Sequence, residues 1–108
     1  MIAAVISLGL SCKKSCIAPD VPSCIREDIK TEINNPHSMV NHVNEYMFQG
    51  RLVYGFDYGL MADGGMDIRD GSCNSLCHVG GFGGPDIDMC NGEHFFQVAV
   101  LKRNIWTR

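Results

Sequence analysis

The sequence predicts an α+β fold: a small antiparallel β-sheet of two hairpins, flanked by an N-terminal and a C-terminal helix and stapled by disulfides. Three observations predict it. Isoleucines recur every fourth residue at Ile25, Ile29 and Ile33, which makes one apolar helical stripe. Two stretches rich in Val, Tyr and Phe flank Gln49-Gly50, the signature of a tight hairpin. Six cysteines fall in only 108 residues. A domain of this size buries about 60% of its unfolded surface, so its apolar core leaves a thin margin and cross-links are expected.

Residues 1–11, MIAAVISLGLS, form an apolar run that ends in small residues ahead of Cys12. This reads as a signal peptide followed by a lipobox-like Gly9-Leu10-Ser11-Cys12, with Cys12 the lipidation site: its thiol is diacylated and becomes the mature N-terminus. Residues 12–23 carry two lysines, two prolines and no apolar period, and read as a tether. The folded domain is then 24–108. Export to an oxidising compartment at the cell envelope also suits the cysteine count.

Within the domain, 24–33 is the first helix, with Ser23 as its N-cap. Pro36 ends it by disfavouring helical geometry at Asn35. Residues 42–57 form the first hairpin. A two-residue turn at Gln49-Gly50 sets its register: Met47 faces Leu52, Glu45 faces Tyr54 and Val43 faces Phe56 on one side. On the other, Phe48 faces Arg51 and Tyr46 faces Val53. Both sides carry large apolar groups, so the ribbon should be covered on both. Residues 66–69 and 76–80 make the second hairpin around Asp70-Gly71-Ser72, and Asn91-Gly92 is a further turn. Residues 93–101, EHFFQVAVL, are apolar without a clear period and are assigned to the closing helix, running through Lys102. Ile105-Trp106 then returns to the sheet in extended form.

The cysteines carry what chemistry the sequence offers. Cys24, Cys73, Cys77 and Cys90 are the disulfide candidates and can pair in three ways. The favoured pairing joins Cys73 to Cys90 and Cys24 to Cys77, worth ~3 and ~4 kcal/mol by loop closure. Cys16, in the tether, is left unpaired. The alternative is a zinc-binding module: Cys73-x3-Cys77 and Cys90-x3-His94 give four soft ligands at a workable spacing. Asp70, Asp86 and Asp88 lack the spacing of a calcium loop. The glycines at 80–84 have no following Lys-Ser/Thr for a phosphate cradle. No catalytic set is assigned, and no cofactor. The net charge of −3 without a basic run gives nucleic acid no electrostatic footprint.

The helix start at Cys24-Ile25…Ile29 and the hairpin Tyr46…Gly50…Val53-Tyr54 are joined by the run Asp70-x2-Cys73-Asn74-x2-Cys77…Gly80-Gly81…Cys90…Phe95-Phe96…Ile105-Trp106. Together they resemble a small cysteine-rich domain-of-unknown-function family of Bacteroidota lipoproteins. The resemblance implies secretion and attachment to the membrane through an N-terminal lipid anchor. It implies no known activity, and leaves a binding or structural envelope module, with a protein or glycan ligand, as the expected function.

Overall fold

The computed structural model describes residues 16–59, 64–81 and 87–108. The expected signal peptide, the lipidation site Cys12 and part of the glycine-rich stretch lie outside the described residues. Helix α1 spans Ser23–Asn34. Strands β1 (His42–Phe48), β2 (Arg51–Asp57), β3 (Met66–Asp70) and β4 (Ser75–Val79) follow. A miniature hairpin, β5 (Met89–Cys90) and β6 (Glu93–His94), leads into one helical turn, α2 (Phe95–Val98). The last strand is β7 (Val100–Thr107).

The first hairpin folds in the register its turn dictates. Val43 pairs with Phe56, Glu45 with Tyr54, Tyr46 with Val53, Met47 with Leu52 and Phe48 with Arg51. Gln49 and Gly50 both take positive φ, 52° and 79°, the geometry of a type I′ turn whose twist matches that of the strands. Asn91 and Gly92 repeat it at 49° and 88°. The two turns meet: Asn91 Nδ2 donates to Gln49 Oε1 at 2.6 Å, and Gln49 Nε2 donates to Asn91 O at 3.0 Å and to Glu93 Oε1 at 2.8 Å.

The main sheet has the order β4-β3-β2-β1-β7, every neighbouring pair antiparallel. After β4 the chain therefore crosses one face of the sheet to reach the far side of β1. The described part of that crossing, residues 87–99, packs on the face through Cys90 and Phe95. Phe95 is fully buried there with Phe48, Val53, Met66, Ile68, Val79 and Cys90. Its ring lies 5.0 Å from those of both Tyr46 and Phe48. On the opposite face, Ile25 and Ile29 of α1 pack with Val43, Tyr54, Phe56, Ile105 and Trp106. The hairpin is thus covered on both sides, as its two apolar faces require.

Three expectations need correction. The closing helix at 93–101 is a single turn followed by a strand. Ala99, at φ −72° and ψ 143°, ends the turn, and Val100–Thr107 pairs along β1. The vacant edge of β1 takes Val100, Leu101 and Lys102, expected as helix, because the ladder satisfies a whole row of backbone groups. Ser23 is not the N-cap. Pro22 holds the cap position, Arg26 N donates to Pro22 O, and Ser23 is already helical. Asn35, by contrast, is extended at φ −99° and ψ 108°, as the following proline demands. Finally, within the tether assigned to 12–23, the described residues from Ile17 to Val21 are not a solvated linker. Val21 is buried, Ile17 and Ala18 pack against the same core, and Ala18 N donates to Ile105 O at 2.9 Å.

Candidate functional site

Three places in the fold concentrate chemistry. The first is the turn between β3 and β4. Asp70 organises it: its Oδ1 accepts from Ser72 N at 2.9 Å and Asn74 N at 3.0 Å, while Cys73 N donates to Asp70 O at 3.0 Å. The Asn74 and Ser72 amides hold the Asp70 carboxyl below the usual carboxylate range. Cys73 is forced to φ 70° in this turn and its sulfur is bonded to Cys24 in the first turn of α1, with 5.9 Å between the Cα atoms. Cys77 of β4 is bonded to Cys90 of β5 across 5.4 Å.

All four candidate cysteines are therefore bridged, but not in the favoured pairing. The favoured pairing ties the first helix to the sheet through Cys77, but that link runs through Cys73. Cys73 sits in the left-handed turn, which aims it at the helix. Cys16, expected to remain a thiol, is also disulfide-bonded. The zinc set of Cys73, Cys77, Cys90 and His94 is dispersed: its three sulfurs belong to two different bridges, and His94 Nδ1 lies 3.0 Å from Asp88 Oδ1. Beside the Cys24–Cys73 bridge stands Asp28. Its carboxylate and the two sulfurs lie within 4.8 Å of one another, and Arg69 Nη1 donates to Asp28 Oδ2 at 2.9 Å. Arg69 is itself held by Asp67 at 2.6 Å and stacks over the Phe56 ring at 3.8 Å.

The second place is Glu45, a buried carboxylate in β1. Tyr54 Oη donates to Glu45 Oε2 at 3.0 Å and Arg103 Nε to Glu45 Oε1 at 3.0 Å. Arg103 also reaches Pro19 O and Asp20 O, which ties the N-terminal segment to β7. Burial pushes the Tyr54 hydroxyl up to about 12, helped by its hydrogen bond to Glu45 and by that group's charge. The arrangement is closed. No buried side-chain polar atom among the described residues lacks a partner.

The third place was missed by sequence reasoning. Phe96 (56% exposed), Val98 (43%), Val100 (56%) and Leu101 (58%) stand in solvent around the start of β7, which is the outermost strand on its side of the sheet. In register beside Val100 is Met47, and beside that the exposed Leu52. The signal was present as an apolar run from Phe95 to Leu101, broken only by Gln97. It was absorbed into a buried helix because apolar runs usually mark the interior.

Bridges, a sealed ion pair and an apolar sheet edge define a small disulfide-stabilised α+β domain. The chain belongs to the family described as a domain of unknown function, DUF6970, which matches residues 29–108. The match starts partway along α1, so it includes Cys73, Cys77 and Cys90 and leaves Cys24 just ahead of it. Comparison with curated proteins and with solved structures found no match.

Proposed function

We propose that this chain is an exported domain, held at the cell envelope by a lipid on Cys12, that works by binding an extended apolar segment of a protein partner along the edge at the start of β7. The apolar strip around the start of that strand carries the reading. Edge strands normally defend their open backbone groups with charge, proline or a covering loop. Here Phe96, Val98, Val100 and Leu101 stand exposed beside an edge, where an incoming strand would gain backbone hydrogen bonds and apolar contact together. The apolar run at 1–11, the cysteine content and the bridges support export, because disulfides persist in oxidising compartments.

Cross-linking in native envelopes tests the binding face. The double variant Val100→Lys/Leu101→Glu should lose the partner's cross-link while unfolding within about 0.5 kcal/mol of the parent, since both side chains are already in water. An unchanged cross-linking pattern would reject the reading. A cross-link between two copies of the chain would make the occupant a second molecule. Intact-mass analysis of natively expressed protein tests the anchor. A thiol that carries a lipid cannot also enter a bridge, and Cys16 is bonded, so acyl mass and thiol count together decide the state of the N-terminus.

A further inference from the structure

The group formed by Cys24, Asp28 and Cys73 is the only one of its kind among the described residues: three metal-ligating side chains, each half-buried, with donor atoms within 4.8 Å of one another. We propose that when the Cys24–Cys73 bridge is reduced, these three side chains bind one thiophilic divalent cation of the zinc class, so that the position alternates between a covalent staple and a metal site. This differs from the dispersed set of Cys73, Cys77, Cys90 and His94, and it does not depend on the docking edge of β7.

The donors are held by parts of the fold that do not need the bridge. Cys24 and Asp28 are one helical turn apart on α1, and Ile25 and Ile29 bury that helix on the sheet. Cys73 is placed by the turn that Asp70 closes through hydrogen bonds to the amides of Ser72 and Asn74. Opening the bridge therefore leaves both sulfurs facing each other. They need only part to about 3.7 Å, the separation of two thiolates in a tetrahedral site with bonds of about 2.3 Å. That is a rotation about two side-chain bonds. The donor set is right for the ion: two soft thiolates and one carboxylate give three protein ligands and leave a fourth position open. Arg69 supplies what such a site usually has behind it, a hydrogen bond that fixes the ligating carboxylate. Two thiolates and Asp28 carry three negative charges; a divalent ion offsets two of them, and the Arg69 guanidinium, shared between Asp28 and Asp67, offsets part of the rest.

The redox step balances. A dithiol reductant transfers two electrons to the sulfur–sulfur bond and leaves as its own disulfide. The two protons end on the Cys24 and Cys73 thiols, and the metal displaces both when it binds. The Cys77–Cys90 bridge stays as it is, with Cys90 buried in the core beneath the crossing segment.

Zinc titration of the full chain, with the bridges mapped by alkylation and mass spectrometry, tests the proposal. After graded reduction by a phosphine that opens Cys24–Cys73 and spares Cys77–Cys90, the chain should retain one zinc through desalting. Cys24 and Cys73 should then resist alkylation, and the oxidised chain should hold no zinc. Asp28→Asn should weaken binding at least about tenfold with the same bridge open. Cys73→Ser should abolish it, and Cys77→Ser/Cys90→Ser should keep it in any preparation with a native circular dichroism spectrum. If that last variant does not fold, the graded wild-type sample decides alone. Absence of zinc from the singly reduced chain, affinity indifferent to Asp28→Asn, or a Cys24–Cys73 bridge that opens only with global unfolding would each overturn the proposal.

Discussion

Removing the bridge between α1 and the β3–β4 turn should cost the domain ~4 kcal/mol, with almost no change in the folded structure. Cys24 and Cys73 are 49 residues apart, and loop closure of that length removes about this much free energy from the unfolded chain. Cys77 and Cys90 are 13 apart, for which the same treatment gives ~3 kcal/mol. The two loops follow one another without overlap, so their contributions add to ~7 kcal/mol, against a net stability of ~5–15 kcal/mol for ordinary domains. The assay is urea unfolding of Cys24→Ala/Cys73→Ala beside the parent. It is read by fluorescence of Trp106, the single tryptophan, which is 1% exposed in the core under α1. With a slope of about 1.5 kcal/mol/M the midpoint should fall by about 2–3 M. Because the effect lies in the unfolded chain, the slope should rise as that chain expands. A midpoint shift below about 0.7 M with a native spectrum would refute the reasoning, since the helix and turn would then be held by contacts alone.

Other consequences are as direct. Tyr54 keeps its proton up to about pH 12 in the fold and to about pH 10 once unfolded, so the unfolded state ionises first as pH rises. The contribution of Tyr54 to stability should therefore be flat below about pH 10 and fall by roughly 2–3 kcal/mol towards pH 12, and Tyr54→Phe should remove that slope in alkaline denaturation. Gly65→Ala should destabilise far more than Gly50→Ala. Both glycines have positive φ, but a Cβ at Gly65 would lie 2.4 Å from Val79 O while one at Gly50 meets nothing within 4 Å, so thermal melts should separate about 1 kcal/mol from several. Phe95→Ala should cost ~3–5 kcal/mol in the same melts, because the ring is fully buried between the sheet and the crossing segment.

Much of the sheet was legible from short-range chemistry. Gln49-Gly50 can sit only in a primed turn of two residues, and that turn alone fixes every partner from Val43–Phe56 to Phe48–Arg51. The isoleucine spacing gave α1, and Pro36 gave its end. What failed depended on distant partners. Val98, Val100 and Leu101 have no period that separates helix from strand, and only the vacant edge of β1 decides between them. The disulfide pairing turned on one backbone angle, the positive φ of Cys73, which the Asp70 carboxylate imposes through the neighbouring amides. Ile17, Ala18 and Val21 are too sparse among prolines to signal a core. Their burial depends on Arg103, which grips the carbonyls of Pro19 and Asp20 from β7. The exposed strip was hidden for the opposite reason: its composition is that of an interior.

Glu45 has two partners of very different provenance. Tyr54 lies 9 residues away and arrives with the hairpin, whereas Arg103 lies 58 residues away and arrives only with β7. Until then the carboxylate has a hydroxyl but no countercharge, and excluding water from it is unfavourable. The α1 side of the hairpin thus has to stay wet while the rest of the chain is made. It can dry only when β7 and the segment gripped by Arg103 close over it, so an acidic side chain in the middle of the sheet keeps half-built molecules from locking shut.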